Sequence, residues 1–289
     1  MSQTKILSTD QVEFFRNNGY VSPVRVMDSE QAASYRARLE AFEQAQGHPL
    51  NGLQRARSYL LFPWAYELLT HPRILDAVED LIGPDIMVYH STIWIKEARS
   101  PGFVSWHQDS TYFGLEPDEE VTAWLALSEA SSAAGCMRVL PGSQKQGQLP
   151  SDLKPDRNNL LSSGQTVRFS FNGETDTVEM PLRPGEISLH HACAIHGSGG
   201  NDSNDRRIGI CLNYIPAHVK PNRHLIDNDA TCPAMLLRGK AHHDLFPVEI
   251  PRRPAADADT VSAAAHDAGV AGYRRMVQAL GHQTAGRFD

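Results

Sequence analysis

The first third of the chain shows the spacing of apolar residues that is typical of amphipathic helices. Two of these segments open with a capping box, in which a polar N-cap residue is followed three positions later by glutamine. A third has proline at its start, a position that the fixed φ of proline favours. Each segment ends at a glycine, the residue that most easily adopts a left-handed C-cap. The pattern predicts helices that begin at Ser8, at Asp28 and near Pro72, and that end at Gly19, Gly47 and Gly83.

From Ile86 onward the apolar period changes to two, which is typical of half-buried strands. Short strand-like runs recur, and turns such as Pro141-Gly142 and Pro184-Gly185 separate them. The runs are IMVYHSTIWIKEA, FVSWH, VTAWLAL, CMRVL, TVRFSF, TVEMPL, EISLH and RIGICLNYI. Many short strands after a helical leader predict a mainly β protein with flanking helices. Its core is expected to be a jelly roll, with the N-terminal helices packed on one sheet.

The chain is expected to form a single domain in three parts. These are a helical leader over residues 1–85, a jelly-roll core over 86–216, and C-terminal loops and a helix over 217–289. In the last part, residues 251–259 have the composition of a loop. Residues 263–280 have the pattern of a terminal helix.

Composition and charge exclude several classes of protein. The 289 residues include 27 Lys and Arg against 34 Asp and Glu, which gives a formal charge of −7 and argues against a nucleic-acid-binding protein. No apolar run approaches the roughly 20 residues that cross a bilayer, and the N-terminus lacks a signal-peptide pattern. The four cysteines are widely spaced, as expected of reduced thiols. We therefore expect a cytoplasmic protein without nucleic-acid or membrane partners.

The strongest local signal for chemistry is the tetrapeptide Trp106-His107-Gln108-Asp109. Side chains two residues apart in a strand share a face, so His107 and Asp109 can reach one point. One imidazole and one carboxylate are two of the three ligands in the facial triad that binds non-haem Fe(II). Asp109 could instead cap a turn. A second His-x-Asp, at His242 and Asp244, shows that the pair also arises by chance, and no later strand there supplies partners.

His196 and Arg207, which lie further along the chain, extend this pattern. His196 begins a hairpin-like stretch that leads into the strand RIGICLNYI, so it can supply a third ligand. In that strand, Arg207 shares a face with the small residues Gly209 and Cys211, whereas the opposite face is apolar. An arginine beside small residues leaves room for a ligand carboxylate, which a guanidinium can hold with two parallel hydrogen bonds. An ordinary surface salt bridge is the alternative for Arg207.

In their order along the chain, these motifs resemble the phytanoyl-CoA dioxygenase family of Fe(II)/2-oxoglutarate-dependent oxygenases, over roughly residues 7–216. The motifs that carry the resemblance are SWHQDSTYFGL, TAWLAL, GCMRVLPGS and LRPGEISLHHACAIHGSGGNDSNDRR. The resemblance implies a double-stranded β-helix core and an enzyme that uses Fe(II), 2-oxoglutarate and O2. Such an enzyme hydroxylates a C–H bond of a small-molecule substrate while it converts 2-oxoglutarate to succinate and CO2.

The resemblance also implies roles for individual residues. It implies that iron is bound by His107, Asp109 and His196. It implies that the distal carboxylate of 2-oxoglutarate pairs with Arg207 in a pocket lined by Ser198, Trp124 and Lys96. From their positions near these motifs, the residues expected to line the substrate pocket are Tyr112, Trp106, His191 and Asn213. Related halogenases have a small residue in place of the acidic ligand, so Asp109 predicts hydroxylation rather than halogenation.

Two other classes of protein are compatible with the same ligands. A hydrolase or isomerase on a similar barrel could use Zn or Mn, and it would not require Arg207. A non-catalytic protein could bind the metal and 2-oxoglutarate without turning over any substrate. The sequence does not name the primary substrate or the oligomeric state.

Overall fold

The computed structural model describes residues 4–161, 163–226, 232–241, 246 and 260–281. The helices are α1 (Thr9–Asn18), α2 (Ser29–Gln46), α3 (Gly52–Arg55), α4 (Pro63–Leu69), α5 (Pro72–Ile82) and α6 (Thr260–Ala279). The strands are β1 (Tyr20–Arg25), β2 (Ile86–Lys96), β3 (Val104–His107), β4 (Leu115–Glu116), β5 (Val121–Ala126), β6 (Met137–Val139), β7 (Ser151–Leu153), β8 (Gln165–Val167), β9 (Val178–Met180), β10 (Glu186–His191), β11 (His196–Ser198), β12 (Arg207–Pro216), β13 (Lys220–Pro221) and β14 (Met235–Arg238).

Antiparallel pairing places most strands in two sheets. The larger sheet has the order β1-β10-β5-β12-β2-β14, and the smaller has the order β3-β11-β6-β9. Trp124 and Ala126 of the larger sheet pack in one apolar cluster with Met137 and Val139 of the smaller sheet. The two sheets therefore face each other, and the prediction of a double-stranded β-helix is confirmed.

The outer face of the larger sheet packs on the N-terminal helices. In β12, Ile208, Ile210 and Leu212 belong to a large buried cluster. The same cluster includes Leu39 of α2 and Ile74 of α5, which confirms the predicted helical layer. Because successive strand residues alternate, Arg207, Cys211 and the other intervening residues of β12 face the space between the sheets.

The predicted helices are present with their predicted caps. Ser8 and Gln11 form a capping box at α1, and Asp28 and Gln31 form another at α2. Both helices end at glycines with positive φ, as expected, and α5 begins at proline. The terminal helix is also confirmed as α6. The predicted loop over residues 251–259 and the second His-x-Asp motif lie outside the described residues.

The helical leader contains three elements that were not predicted, namely the short helices α3 and α4 and the strand β1. This strand pairs with β10, and Tyr20 lies opposite His190. It lies at the edge of the larger sheet, where Pro23 is tolerated because one side of the strand makes no ladder hydrogen bonds. A six-residue strand between two helices leaves too little period-two pattern to be recognised from the sequence alone.

Two expectations from composition concern the thiols and the membrane. All four cysteines are free, and three of them are buried. Within the described part of the chain, no helix combines the length and the apolar character that a bilayer crossing requires.

Candidate active site

Three side chains that could bind a metal converge between the two sheets. His107 ends β3 and His196 begins β11, and the antiparallel pairing of these strands puts the two histidines opposite each other. Asp109 follows two residues after His107, at the start of a short 3-10 turn. Its Oδ1 lies 3.4 Å from His107 Nε2 and 3.7 Å from His196 Nε2. The ligand atoms of all three lie within 4.8 Å of one another, so they are placed to share one ion.

Backbone carbonyl groups fix the orientation of both imidazoles. His107 Nδ1 donates to the Ser105 carbonyl at 2.9 Å, and His196 Nδ1 donates to the Ala194 carbonyl at 3.0 Å. Each ring therefore keeps the lone pair of Nε2 for a metal, an arrangement common among histidine ligands. Burial, together with the neighbouring histidines, lowers the pKa of His196 well below its usual value, which favours the neutral ring that binds metals.

The carboxylate of Asp109 is held on the side away from the imidazoles. Its Oδ2 accepts a hydrogen bond from Thr122 Oγ1 at 2.8 Å, and His190 Nε2 lies 3.3 Å from the same oxygen. Burial alone would raise the pKa of Asp109. The neighbouring rings of His196 and His107 and the hydrogen bond from His190 outweigh that effect and hold the pKa well below its usual range. Asp109 is therefore an ionised carboxylate with Oδ1 turned toward the two rings.

His190 and Thr122 were not among the predicted site residues, although strand alternation could have identified both. In β10, Ile187 and Leu189 pack toward the helices, so His190 must point inward. In β5, Val121 packs toward the helices in the same way, and Thr122 therefore points inward. The two residues lie opposite each other in the pairing of β10 with β5.

Two buried cations lie at the other end of the space between the sheets. Lys96 and Arg207 are only 1% and 2% exposed, and they are opposite each other in the pairing of β2 with β12. Lys96 Nζ donates to Ser198 Oγ at 2.7 Å and to the carbonyl of Gly199. Arg207 Nη1 donates to the Gly135 carbonyl at 3.0 Å.

This pair of cations fits an anionic ligand. Among the residues that the structure describes, neither Lys96 nor Arg207 forms an ion pair with a carboxylate, and Arg207 Nε has no hydrogen-bond partner. Buried charges are normally paired, because an isolated charge is costly to remove from water. Burial and the charge of Arg207 lower the pKa of Lys96 to about 6, and burial lowers the pKa of Arg207 to about 10. A dianion such as 2-oxoglutarate would supply the missing charge.

Trp124 lies beside the pair of buried cations because Gly209 leaves room for its ring. The Arg207 guanidinium lies 5.1 Å from the centre of the Trp124 ring, a cation–π distance. A Cβ atom at Gly209 would lie only 2.1 Å from Trp124 Cζ2. The indole therefore packs directly against the backbone of β12 at Gly209.

We expect Gly209→Ala to displace Trp124 and so to weaken 2-oxoglutarate binding. Overpacking of this kind typically lowers the free energy of unfolding by about 1–3 kcal/mol. Thermal unfolding and the KM for 2-oxoglutarate measure the two effects. Gly272→Ala in α6 is the matched control, since a Cβ there meets nothing closer than 3.7 Å. Unchanged 2-oxoglutarate affinity in Gly209→Ala would show that the ring position is unimportant.

A cavity of about 50 Å³ adjoins His107 and Asp109. Its walls combine aromatic and polar side chains, and Tyr273 of α6 stacks on His90 with ring centroids 4.0 Å apart. The other aromatic residues of the walls are Trp94, Tyr112 and Phe113. Asn213 also lines the cavity, so both Tyr112 and Asn213 lie beside His107 and Asp109. The part played by α6 in this wall was not predicted, because a helical pattern does not indicate where the helix packs.

Trp106 and His191, which were predicted to line the substrate pocket, do not line this cavity. In β3, Trp106 alternates with the inward-facing His107, and its ring packs against Phe171 at 5.2 Å. In β10, His191 alternates with the inward-facing His190 and lies 6.5 Å from the ring of Phe15 in α1. For both residues, the prediction used nearness in sequence where strand alternation decides the direction.

Comparison with known proteins shows which family the chain resembles. Residues 15–209 match the profile of the family described as Phytanoyl-CoA dioxygenase (PhyH). The peroxisomal phytanoyl-CoA dioxygenase of Bos taurus is 26% identical over 257 residues, which cover 79% of this chain and 73% of that protein.

Among solved structures, the apo form of the non-heme monooxygenase ThoJ is 29% identical, with a TM-score of 0.81. The match covers 94% of this chain and 98% of that chain. The epimerase SnoN in complex with Fe3+, alpha ketoglutarate and nogalamycin RO is 25% identical. Its TM-score is 0.59, and the match covers 73% of this chain and 84% of that one.

The family match and the iron- and 2-oxoglutarate-bound relative agree with the donor set of the site. Two neutral imidazoles and a carboxylate suit Fe(II), and the two buried cations suit a dicarboxylate. Both observations favour an oxygenase over a metal hydrolase, an isomerase that works without 2-oxoglutarate, or a non-catalytic binding protein. The chain belongs to the phytanoyl-CoA dioxygenase family and is an Fe(II)/2-oxoglutarate-dependent oxygenase.

Proposed function

We propose that His107, Asp109 and His196 bind the catalytic Fe(II). The observation that supports this most directly is the convergence of two Nε2 atoms on Asp109 Oδ1, with both Nδ1 atoms already bonded to carbonyl groups. A set of only three protein ligands would leave the bound ion able to take up the cosubstrate and O2 as well. The same three residues also matched the family motif in the sequence.

We propose further that the distal carboxylate of 2-oxoglutarate lies against Arg207 and Lys96. Ser198 accepts a hydrogen bond from Lys96 and so fixes the ammonium group, while the Trp124 ring closes the side of the pocket. The buried cations hold only the distal carboxylate of 2-oxoglutarate. The other end, with the 2-oxo group, is therefore directed toward the iron ligands. Orientation of this kind is the protein's main contribution in enzymes whose chemistry belongs to a cofactor.

The reaction that we propose is hydroxylation of a C–H bond in a small-molecule substrate. With Fe(II) bound, the centre supplies the coupled oxidation in which 2-oxoglutarate becomes succinate and CO2 and one oxygen atom enters the substrate. The cavity beside His107 and Asp109 would take the reacting part of the substrate, and its aromatic side chains favour an apolar group there. The retained Asp109 ligand favours hydroxylation over halogenation.

The experiment that tests this function is anaerobic reconstitution with Fe(II) and 2-oxoglutarate, followed by exposure to O2 in the presence of a metabolite library. We expect succinate formation that a substrate stimulates, together with a product heavier by one oxygen atom. No binding of 2-oxoglutarate would favour a different metal enzyme. Binding without any turnover would favour a non-catalytic protein.

We also propose that the enzyme is a single cytoplasmic domain without nucleic-acid or membrane partners. The charge of −7 and the four free thiols support this proposal.

A further inference from the structure

Glu120 is a buried carboxyl group that the proposed reaction does not use. It precedes β5 and is only 1% exposed. Its Oε1 accepts a hydrogen bond from Asn213 Nδ2 at 2.8 Å, whereas its Oε2 has no hydrogen-bond partner among the described residues. A buried acid without a cation partner is costly, so its presence beside the candidate iron site requires an explanation.

A chain of hydrogen bonds connects Glu120 to the candidate iron ligand. Asn213 Nδ2 donates to Thr122 Oγ1 as well, again at 2.8 Å. Thr122 Oγ1 in turn donates to Asp109 Oδ2 at 2.8 Å. The chain therefore runs from Glu120 through Asn213 and Thr122 to the oxygen of Asp109 that faces away from the imidazoles.

The direction of these bonds is set at the Asp109 end. The Asp109 carboxylate can only accept, so the Thr122 hydroxyl must point its proton there and accept from Asn213. The amide of Asn213 must then turn its nitrogen toward Thr122 and Glu120. Asn213 also lines the cavity, and its carbonyl oxygen is the amide atom that the chain of hydrogen bonds does not use. The Glu120 oxygen is the second acceptor that holds the amide in this orientation.

We propose that Glu120 is a positioning residue of the iron site, acting through Asn213 and Thr122 to hold Asp109 with Oδ1 toward the metal. This role rests on the proposed function, in which Asp109 is an iron ligand. Burial and the charge of Asp109 raise the pKa of Glu120 well above its usual value, so glutamine at this position closely imitates the neutral carboxyl group. Leucine instead removes the acceptor and replaces it with an apolar side chain of similar size.

The test is a titration of the purified full chain with Co(II), which substitutes for Fe(II) and reports its coordination by visible absorption. Groups that orient a metal ligand typically contribute about 10–100-fold to metal affinity. We expect Thr122→Val and Glu120→Leu to weaken Co(II) binding about 10-fold and to alter the absorption spectrum. Glu120→Gln should bind within about 2-fold of wild type, since it retains the acceptor.

A double-mutant cycle separates positioning from general loss of stability. Asn213→Leu breaks the chain at its middle, so Glu120→Leu should add no further loss of affinity in that background. Tyr214→Phe is the control. Tyr214 is in the same strand as Asn213 but faces the helices, and the substitution removes its buried hydrogen bond to the Leu69 carbonyl. It should lower the melting temperature without changing Co(II) affinity.

The outcomes distinguish the two proposals. Wild-type Co(II) affinity in folded Glu120→Leu, or in folded Asn213→Leu if the former does not fold, overturns the positioning role and leaves the iron site intact. If wild type binds no Co(II), or if His107→Ala binds Co(II) with the affinity of wild type, the iron site and the positioning role are both overturned. Equal losses in Glu120→Gln and Glu120→Leu also contradict positioning, because the former keeps the hydrogen bond.

Discussion

Asp109→Ala and His107→Ala are expected to abolish the formation of succinate from 2-oxoglutarate. Each removes one of three ligands, and the remaining pair no longer surrounds one face of the ion. Because even groups that only orient a ligand contribute about 10–100-fold to metal affinity, loss of a ligand should weaken Fe(II) binding by more than about 100-fold. Anaerobic Fe(II) titration and a succinate assay measure the two effects independently.

His191→Asn is the control for these variants. His191 lies in the strand next to the site but points toward α1, and its Nδ1 accepts a hydrogen bond from the Cys193 amide. Asparagine can keep that acceptor, so metal binding and turnover should stay at wild-type levels. Full turnover in either Asp109→Ala or His107→Ala would remove the iron assignment.

Much of this site follows from strand alternation, which is readable in the sequence. In β12, the apolar Ile208, Ile210 and Leu212 mark the helix-facing side, so the intervening residues face the other sheet. The prediction for Arg207 came from this alternation. The same rule applied to EISLHH would have replaced His191 with His190, which lies beside Asp109.

The pairing of distant strands could not be predicted in the same way. Asn213 lies opposite Thr122 on one side and opposite His90 on the other, because β12 is hydrogen-bonded to both β5 and β2. Nothing in the local pattern of any one strand specifies this order, since it depends on contacts between residues far apart in the chain. The chain of hydrogen bonds from Glu120 to Asp109 depends on that order and was therefore not visible from the sequence.

The second large effect is expected from substitution of the two buried cations, which should change both cosubstrate binding and stability. Arg207→Ala should raise the KM for 2-oxoglutarate strongly, because truncating one partner of a buried charge pair typically costs about 2–5 kcal/mol. At 1.4 kcal/mol per tenfold change, this corresponds to an increase of at least about 30-fold. Arg206→Ala is the matched control: Arg206 pairs with Glu43 and Glu97 at the surface of the sheet, away from the buried cations.

Lys96→Met should likewise weaken 2-oxoglutarate binding, and yet it should stabilise the ligand-free protein. The folded-state pKa of Lys96, about 6, lies below its ordinary value of 10.5. The unfolded chain therefore binds more protons than the folded chain between these values, so the free energy of unfolding rises with pH across that window. Methionine removes the cost of burying an ammonium group. The melting temperature of Lys96→Met should therefore exceed that of wild type most clearly near pH 6 and approach the wild-type value toward pH 10.

Binding of 2-oxoglutarate should reverse the depressed pKa of Lys96, because a carboxylate beside an ammonium group favours its charged form. At a pH near 8, Lys96 is mainly neutral in the free protein and charged in the complex, so binding takes up close to one proton. Calorimetry in buffers with different enthalpies of ionisation measures this number directly. Lys96→Met should show no such uptake, whereas equal proton uptake in the two proteins would mean that Lys96 does not contact the cosubstrate. Affinity should therefore fall as pH rises above about 6, since each bound molecule must recruit a proton that becomes scarcer.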